Sequence, residues 1–451
     1  MARQKSLPSA PEASGHLADK TLIIDNGAHT LKAGLATHLD DTPPNLDSCH
    51  IIPNVIARSQ RDKRTYIGPE YSDCLDFGEL AYRRPVEKGF IVHWEAEKAV
   101  WERSFLHKDD AVVKCDPEET SLILTEAPNA PVALQRNADE MVFEEFGFAG
   151  YYRTIAPTLN AYAPSPFPST ATSVSGVPLE CLLIIDVGHS HTTVTPLHHG
   201  RPFQHAIKRL EIGGKTLTNQ MKLLISRTFD VHREDHIVSE IKEDVCFVSQ
   251  DFNADLERVW RGGRYDPRAV DASLLVDYVL PDYETIKRGY ARPHDPAVKL
   301  RDIMLGIGTE GGRREHVLTI ANERFVVPEL LFSPADIGMR QAGLAGMVLQ
   351  SIDALPAGFR QAYLANILVV GGTSKLPGFV QRLESELRSL VDVDEVVRVA
   401  RAEEPAKNVW LGGAGMAKSA DLMRSLIVTR QEYAEHGDGW ARRVFAGKAR
   451  R

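Results

Sequence analysis

A repeated strand-turn-strand segment is the feature that most constrains what this chain can fold into. Its first copy, TLIIDNGAHTLKAGLA (residues 21–36), has an apolar run that ends in Asp25, then Asn26-Gly27, then a second apolar run that carries Lys32. Two β-type runs joined through Asn-Gly predict a hairpin with a tight turn. Such a turn gathers backbone N–H groups into an anion-binding concavity, where a carboxylate could also hold a hydrated cation. A plain hairpin without a ligand would give the same pattern.

The second copy lies in the middle of the chain. Residues 182–196, LLIIDVGHSHTTVTP, repeat the apolar run, an acidic residue (Asp186), a glycine (Gly188), a polar loop and a second run. An internal repeat of this kind predicts duplicated halves that face one another across a shared ligand. Two unrelated hairpins are the alternative interpretation.

Two glycine pairs strengthen the prediction of an anion site. Gly371-Gly372-Thr373 follows the apolar run ILVV and precedes a helix predicted to open at Pro377. Gly213-Gly214 is likewise predicted to start a helix beside a cleft, since glycine permits close backbone approach and helix N-termini favour anions. A further helix is predicted over 241–252; it carries Lys242 and Glu243, which could equally form a solvated face.

Length and composition bound the class of protein. With 451 residues the chain can bury two cores, so two domains are expected. The net charge of −8 argues against broad, charge-driven DNA binding by the chain alone. Five scattered cysteines predict reduced thiols, and the lack of a signal peptide or a long apolar run predicts a soluble intracellular protein. Residues 1–19, rich in Ser, Pro and Ala, are predicted to be a disordered leader.

The two hairpins, the Gly-Gly-Thr turn and the segment RPVEKGFIVHWEAEKAVWERSF (84–105), in this order, resemble the actin family. The resemblance covers residues 20 to 445 and implies an α/β actin-like fold, with two duplicated ribonuclease-H-like halves around a nucleotide cleft and four subdomains. It implies a first half of 20–162 and 409–451, with a small second subdomain at about 47–84. The implied second half is 163–408, with a fourth subdomain at about 209–283 and an insertion at 284–316.

The resemblance also implies which residues would surround ATP or ADP. Asp25 and Asp186 would hold magnesium through water, and the nucleotide would be a structural ligand. The implied nucleotide-binding residues are Asp25, Asn26, Gly27, Lys32, Asp186, Gly188, Gly214, Lys242, Glu243, Gly371, Gly372 and Thr373.

Several positions depart from the family pattern, and these departures affect groups that hydrolysis or nucleotide binding uses. The first hairpin has Ala28-His29 in place of Ser-Gly, and the second has His189-Ser190 in place of an acidic residue and a glycine. Ala156 stands where actins use a glutamine to orient the attacking water, and alanine cannot hydrogen-bond to water. Ala406 replaces a lysine beside the adenine, for which Lys407 is a candidate substitute. The resemblance therefore implies that hydrolysis is lost.

Within that family, the sequence most resembles the actin-related proteins of the sixth class. This resemblance implies a non-catalytic scaffold subunit of the ATP-dependent chromatin remodeller that exchanges a core histone for its Z-type variant. It implies a nuclear, partly cytoplasmic protein that contacts a zinc-finger HIT-type subunit, the Swi2/Snf2-type motor and nucleosomal DNA, but no membrane. The alternative is an active actin-fold ATPase or a filament-forming cytoskeletal protein. Residues 58–66, short and basic, stand where actins have a long loop that grips the next subunit, so no self-filament is expected.

Two segments have no counterpart of similar length in actin. One is the Pro/Ser/Thr-rich loop 163–178, and the other is 284–316, which is basic and Gly-rich but carries apolar residues between Val298 and Ile307. Apolar residues in such an insertion favour a docking element, with a disordered spacer as the alternative. The basic residues expected to steer the partner are Lys287, Arg288, Arg292, Arg313 and Arg314.

Overall fold

The computed structural model describes most of the chain. The described residues are 17–39, 42–60, 63–77, 80–107, 109–167, 178–227, 229, 231, 235–283, 286–295 and 316–447. No helix among them is long and apolar enough to cross a membrane.

The described residues form both strands and α-helices. The strands are β1 (Lys20–Asn26), β2 (Thr30–Thr37), β3 (His50–Pro53), β4 (Ile56–Ser59), β5 (Thr65–Ile67), β6 (Leu80–Arg83), β7 (Val86–Glu87), β8 (Phe90–Ile91), β9 (Thr120–Glu126), β10 (Gly150–Ile155), β11 (Cys181–Val187), β12 (Thr192–His198), β13 (Arg201–Pro202), β14 (Lys208–Leu210), β15 (Gly262–Gly263), β16 (Asp266–Pro267), β17 (Val276–Val279), β18 (Tyr290–Pro293), β19 (Val317–Ile320), β20 (Ile367–Val370), β21 (Val399–Arg401) and β22 (Val428–Thr429). The helices are α1 (Trp94–Trp101), α2 (Val132–Glu140), α3 (Ala156–Asn160), α4 (Gly214–Ile225), α5 (Asp235–Val245), α6 (Phe252–Val259), α7 (Glu323–Glu329), α8 (Leu344–Ile352), α9 (Arg360–Leu364), α10 (Phe379–Leu390), α11 (Asn408–Ala417), α12 (Ala420–Leu426) and α13 (Arg430–Phe445).

Two large sheets share one topology. The first has the order β22-β10-β9-β1-β2-β3, and the second has the order β13-β12-β11-β20-β21, with β14 also paired to β12. In each sheet a central strand, β1 or β11, is antiparallel to the next strand in the chain and parallel to a later one. The register places Asp25 opposite Lys32 and Asp186 opposite Thr193. The duplication and the actin-like fold expected from the sequence are confirmed.

The central strands are apolar because both faces of each sheet are covered. Leu22, Ile23 and Ile24 in β1 are fully buried, as are Leu183, Ile184 and Ile185 in β11. Asp25 and Asp186 stand one residue before the ends of these two strands, and both line the same cavity.

Helices α11 and α3 pack closely against one another beside the space between the two hairpins. Helix α11 contacts α3 through Gly412, where a Cβ atom would lie 1.9 Å from the backbone oxygen of Leu159. No side chain fits at that position, so glycine permits this approach. The contact holds Ala156, the first residue of α3, against the space between the two hairpins.

A small three-stranded sheet, β5-β4-β6, follows the first hairpin. Its β4 and β5 strands form a tight hairpin in which Ile56 pairs with Ile67, and the amide of Ser59 donates to the oxygen of Arg64 at 2.9 Å. Residues 60–64 alone separate the two strands in the sequence, which is too few for a long loop.

The insertion 284–316 is partly built into the fold. Strand β18 pairs with β17 along Val276–Val279, and β17 pairs with β19 on its other edge. Arg288 lies 3.3 Å from Glu240 and 3.6 Å from Asp244, so its charge is used within the chain. Its side chain is nevertheless 66% exposed, so its expected role in steering a partner stays a prediction. Residues Val298 to Ile307, Arg313 and Arg314 lie outside the described residues.

Three predicted boundaries also change. The helix that carries Lys242 and Glu243 is α5, and it ends at Val245 instead of reaching residue 252, because the amides of Phe247 and Val248 donate to Arg324 and Pro377 in distant segments. Helix α10 begins at Phe379, since Gly378 has a φ of 81°. Leu17 packs against the core beside β1, so residues 17–19 belong to the ordered part, while 1–16 lie outside the described residues.

Candidate functional site

A cavity of about 460 Å³ lies between the two hairpin turns. This volume is typical of a pocket for a small-molecule ligand. Every nucleotide-binding residue implied by the sequence lines it: Asp25, Asn26, Gly27, Lys32, Asp186, Gly188, Gly214, Lys242, Glu243, Gly371, Gly372 and Thr373. The structure thus brings the whole set together, although the ligand itself stays a prediction.

The first hairpin neutralises its own carboxylate. Asp25 lies at the end of β1, and its Oδ2 atom is 3.7 Å from Lys32 Nζ on the paired strand. Its Oδ1 atom accepts a hydrogen bond of 2.9 Å from the hydroxyl of Thr125 in β9. The sequence analysis missed Thr125, which also accepts from the amide of Asn26 at 2.9 Å and so ties the turn to the neighbouring strand.

The second carboxylate is more deeply buried. Burial raises the pKa of Asp186 to about 6; the negative charge of Asp25 adds to the rise, and Lys32 opposes it. Two carboxylates held near one lysine form a site that suits a hydrated cation. The role of both residues around magnesium stays a prediction.

Glycine is required where the third turn meets the second hairpin. Gly371 has a φ of 91°, and a Cβ atom there would lie 2.4 Å from the backbone oxygen of Val187. The next residues form a short 3₁₀ turn, Gly372–Lys375, in which the hydroxyl of Thr373 donates to the oxygen of Gly188 at 3.0 Å. This turn, and not the later helix α10, therefore borders the cavity.

Helix α4 starts at Gly214 as expected, but its first amides are already used. The amide of Gly214 donates to the oxygen of Gly188 at 3.0 Å, and the amide of Lys215 donates to the oxygen of His189 at 2.8 Å. The helix N-terminus thus holds the second hairpin in place. These two N–H groups are not available to an anionic ligand.

Helix α5 brings Lys242 and Glu243 to the cavity wall. Lys242 is buried, its Nζ atom donates to the hydroxyl of Thr218 at 3.1 Å, and burial lowers the pKa of its ammonium. Glu243 is exposed and accepts a hydrogen bond of 3.2 Å from Ser239. Glu243 is therefore the more accessible of the two to a ligand.

The cation near Ala406 is not the expected one. Lys407 donates to the backbone oxygen of Leu46 at 3.0 Å and does not line the cavity, so the prediction that it replaces the missing lysine is wrong. Lys375 lines the cavity in its place, 3.1 Å from Glu404. Its position just after the Gly-Gly-Thr turn was a signal that the sequence analysis did not use.

A buried polar network supports the first hairpin from behind. The side-chain amide of Asn54 donates to the oxygen of Gly27 at 3.1 Å and to Glu97 at 3.2 Å. The indole of Trp101 donates to Glu97 at 2.9 Å, and burial raises the pKa of Glu97 to about 7. The sequence analysis did not single out these residues, yet they fix the turn.

The two hairpin turns meet through their histidines. The imidazole rings of His29 and His189 stack with their centroids 4.6 Å apart and their planes 28° apart. Arg84 lies beside them, with its Nη1 atom 3.4 Å from the backbone oxygen of His29. The sequence showed both histidines as departures from the family pattern, but not that they touch.

Comparison with known proteins identifies what the chain resembles. The actin family model matches residues 17–446. The actin-like protein arp6 of Aspergillus fumigatus is 47% identical over 99% of this chain and 98% of its own length. The actin-related protein 6 of Neurospora crassa is 48% identical over 94% of each chain. The actin-related protein 6 of Drosophila melanogaster is 36% identical over 93% of this chain and 98% of its own.

Proposed function

The chain belongs to the actin family, in the class of actin-related protein 6, and from this premise we propose that it is a non-catalytic scaffold subunit of a chromatin remodeller. The remodeller is the ATP-dependent complex that exchanges a core histone for its Z-type variant. In it the chain contacts the Swi2/Snf2-type motor and a zinc-finger HIT-type subunit and supports engagement of the nucleosome. This role places it in the nucleus, with some in the cytoplasm.

The side chains that line the cavity are the observation that supports a non-catalytic role. Positioning and charge stabilisation supply nearly all of phosphoryl-transfer catalysis. Here Ala156 offers no group that could orient water, and His189 replaces a carboxylate. Lys32 is engaged with Asp25 and Lys242 with Thr218, so two of the cations that line the cavity already have partners.

The short hairpin of β4 and β5 supports a role outside filaments. Five residues, 60–64, separate its two strands in the sequence, where actins have a long loop that grips the neighbouring subunit of a filament. The chain is therefore expected to use its surfaces for other subunits, and not for copies of itself.

Actin-family proteins usually bind a nucleotide, and the cavity fits one in part. Around the Gly371-Gly372-Thr373 turn, glycine permits close backbone approach, while Lys375 and the exposed Glu243 offer polar contacts. ATP or ADP with magnesium would serve there as a structural ligand that stabilises the two halves by mass action. Between His29 and His189 the fit fails, because the stacked rings fill the space.

Purification of the tagged chain from nuclear extract tests the proposal. The expected result is recovery of the motor and the HIT-type subunit in amounts equal to the chain, with no polymer of the chain itself. A matched preparation with the tag on actin controls for capture through actin-containing assemblies. Recovery of the chain alone, or as filaments, would contradict the proposal.

A further inference from the structure

The His29–His189 contact leaves no space for another group between the two hairpins. A group inserted between two rings needs a van der Waals contact of about 3.5–4 Å on each side, and therefore a spacing of roughly 7 Å. The centroids lie only 4.6 Å apart. A phosphate that bridged the two turns would have to separate the rings first.

Three donors around this contact, two helix amides and one ammonium, are already occupied. The amides of Gly214 and Lys215 donate to the carbonyls of Gly188 and His189. The ammonium of Lys32 faces Asp25 at 3.7 Å. A terminal phosphate placed here would thus find its usual partners, helix N–H groups and lysines, already engaged.

The rings themselves do not supply positive charge. Burial, the largest cause, together with nearby cations lowers the pKa of His29 to about 3, and burial lowers that of His189 to about 2. Both imidazoles are therefore neutral at physiological pH. Neutral rings favour stacking and do not attract an anion as imidazolium would.

Unpaired polar atoms nevertheless show that a polar group belongs beside the first hairpin. Among the described residues, Asn26 Oδ1 and His29 Nδ1 have no hydrogen-bond partner, whereas the Asn26 amide nitrogen faces Glu97. Buried polar atoms rarely stay unpaired, and a ligand or water is the common partner. The ligand thus reaches the turn at Asn26 and stops at the rings.

We propose that the stacked rings of His29 and His189 take the place of a terminal phosphate, so that the cavity binds a nucleoside diphosphate in preference to the triphosphate. This rests on the proposed function, in which a nucleotide is a structural ligand. It assigns the two histidines as residues that set specificity by filling space.

Calorimetric titration of the full chain, freed of nucleotide, tests the preference. ADP and a non-hydrolysable triphosphate with an imido bridge are titrated separately in magnesium buffer, so that turnover cannot blur the comparison. The wild-type chain is expected to bind ADP at least tenfold more tightly. In the His29→Gly/His189→Gly double variant the ratio should fall below threefold, mainly through tighter triphosphate binding.

Two further variants separate a specific effect from damage to the fold. His29→Ala removes one ring without the added backbone freedom of glycine. It should give an intermediate ratio, which can be measured even if the double variant does not fold. His205→Ala removes a histidine that lies beside Ala354, away from the cavity, and should keep the wild-type ratio. Equal binding of both nucleotides by the wild type, an unchanged ratio in the double variant, or binding of neither nucleotide would overturn the proposal. Recovery of the chain with its complex does not depend on these results, so it tests the scaffold role separately.

Discussion

Replacing Lys32 with methionine should destabilise the chain in a pH-dependent manner. Lys32 is the cation nearest Asp25, at 3.7 Å, and its charge also opposes the rise in the pKa of Asp186. The side chains of Lys32 and Asp25 are only 17% and 14% exposed, so solvent screens the pair weakly. Removing one partner of such a pair is expected to lower the free energy of unfolding by about 2 kcal/mol at pH 8.

Part of this loss in the free energy of unfolding should disappear at acidic pH. The pKa of Asp186 is already raised to about 6, which means that its charged form destabilises the fold above that pH. Without Lys32 that pKa rises further, and each pKa unit costs about 1.4 kcal/mol while the carboxyl is ionised. As the pH falls from 8 through 6 to 5, Asp186 becomes protonated in the fold, and the deficit of the variant should shrink to below about 1 kcal/mol.

Urea unfolding of Lys32→Met and wild type at pH 8 and pH 5 measures both quantities. Lys375→Met is the matched control, because Lys375 pairs with Glu404 at 3.1 Å on the surface, where the two side chains are 53% and 46% exposed. Its deficit should stay below about 1 kcal/mol at both pH values. Equal deficits in the two variants, or a Lys32→Met deficit that does not change with pH, would refute the electrostatic account.

Three other changes have defined outcomes. The isolated chain should release phosphate from ATP no faster than buffer in a coupled assay, because Ala156 and His189 offer no catalytic groups; a magnesium-dependent rate that Asp25→Asn abolishes would contradict this. Gly371→Ala should lower the free energy of unfolding by more than about 1 kcal/mol, since φ is 91° and a Cβ atom would clash with Val187. The control variant Gly372→Ala should be close to neutral, because no atom of the described residues lies within 4 Å of the added Cβ. Equal urea midpoints for the two variants would be inconsistent with this account. Replacing residues 296–313 with a short Gly-Ser bridge leaves β18 and Arg288 in place, so the fold should persist while recovery of the chain with its complex drops. Recovery at wild-type yield would show that the segment is only a loop.

The fold could be predicted because its signal is local and repeated. Each central strand is an apolar run that ends in an aspartate, and each is followed by a turn and a second run within one short segment. Local periodicity reports such segments well. The repetition therefore predicts that the two carboxylates, Asp25 and Asp186, line one cavity.

What the sequence missed depends on contacts between distant segments. Helix α5 ends at Val245 because distant segments bind the chain that follows it. The backbone oxygens of Arg324 and Pro377 accept hydrogen bonds from the amides of Phe247 and Val248. Strand β18 forms because β17 offers a free edge, although its own sequence is part of a basic insertion. Such partners override local propensity.

The site shows the same division. The residues that line the cavity follow from the repeated motifs, whereas their charge partners do not. Thr125 lies in another strand, and Lys375 pairs with Glu404 after a separate helix. The contact of His29 with His189 joins two halves of the chain, and only the assembled fold brings those rings together.

The central claim is that the cavity contributes structure and not catalysis to the assembly. The most direct measurement is the rate of histone exchange by a remodeller reconstituted with the Asp186→Asn chain. Asparagine removes the carboxylate but keeps the shape, and burial already disfavours the charged form of Asp186, so the variant should fold and assemble. The account predicts an exchange rate within about twofold of wild type, and a complex that lacks the chain should be defective. A fully assembled Asp186→Asn complex that exchanges histones as poorly as the complex without the chain would contradict it.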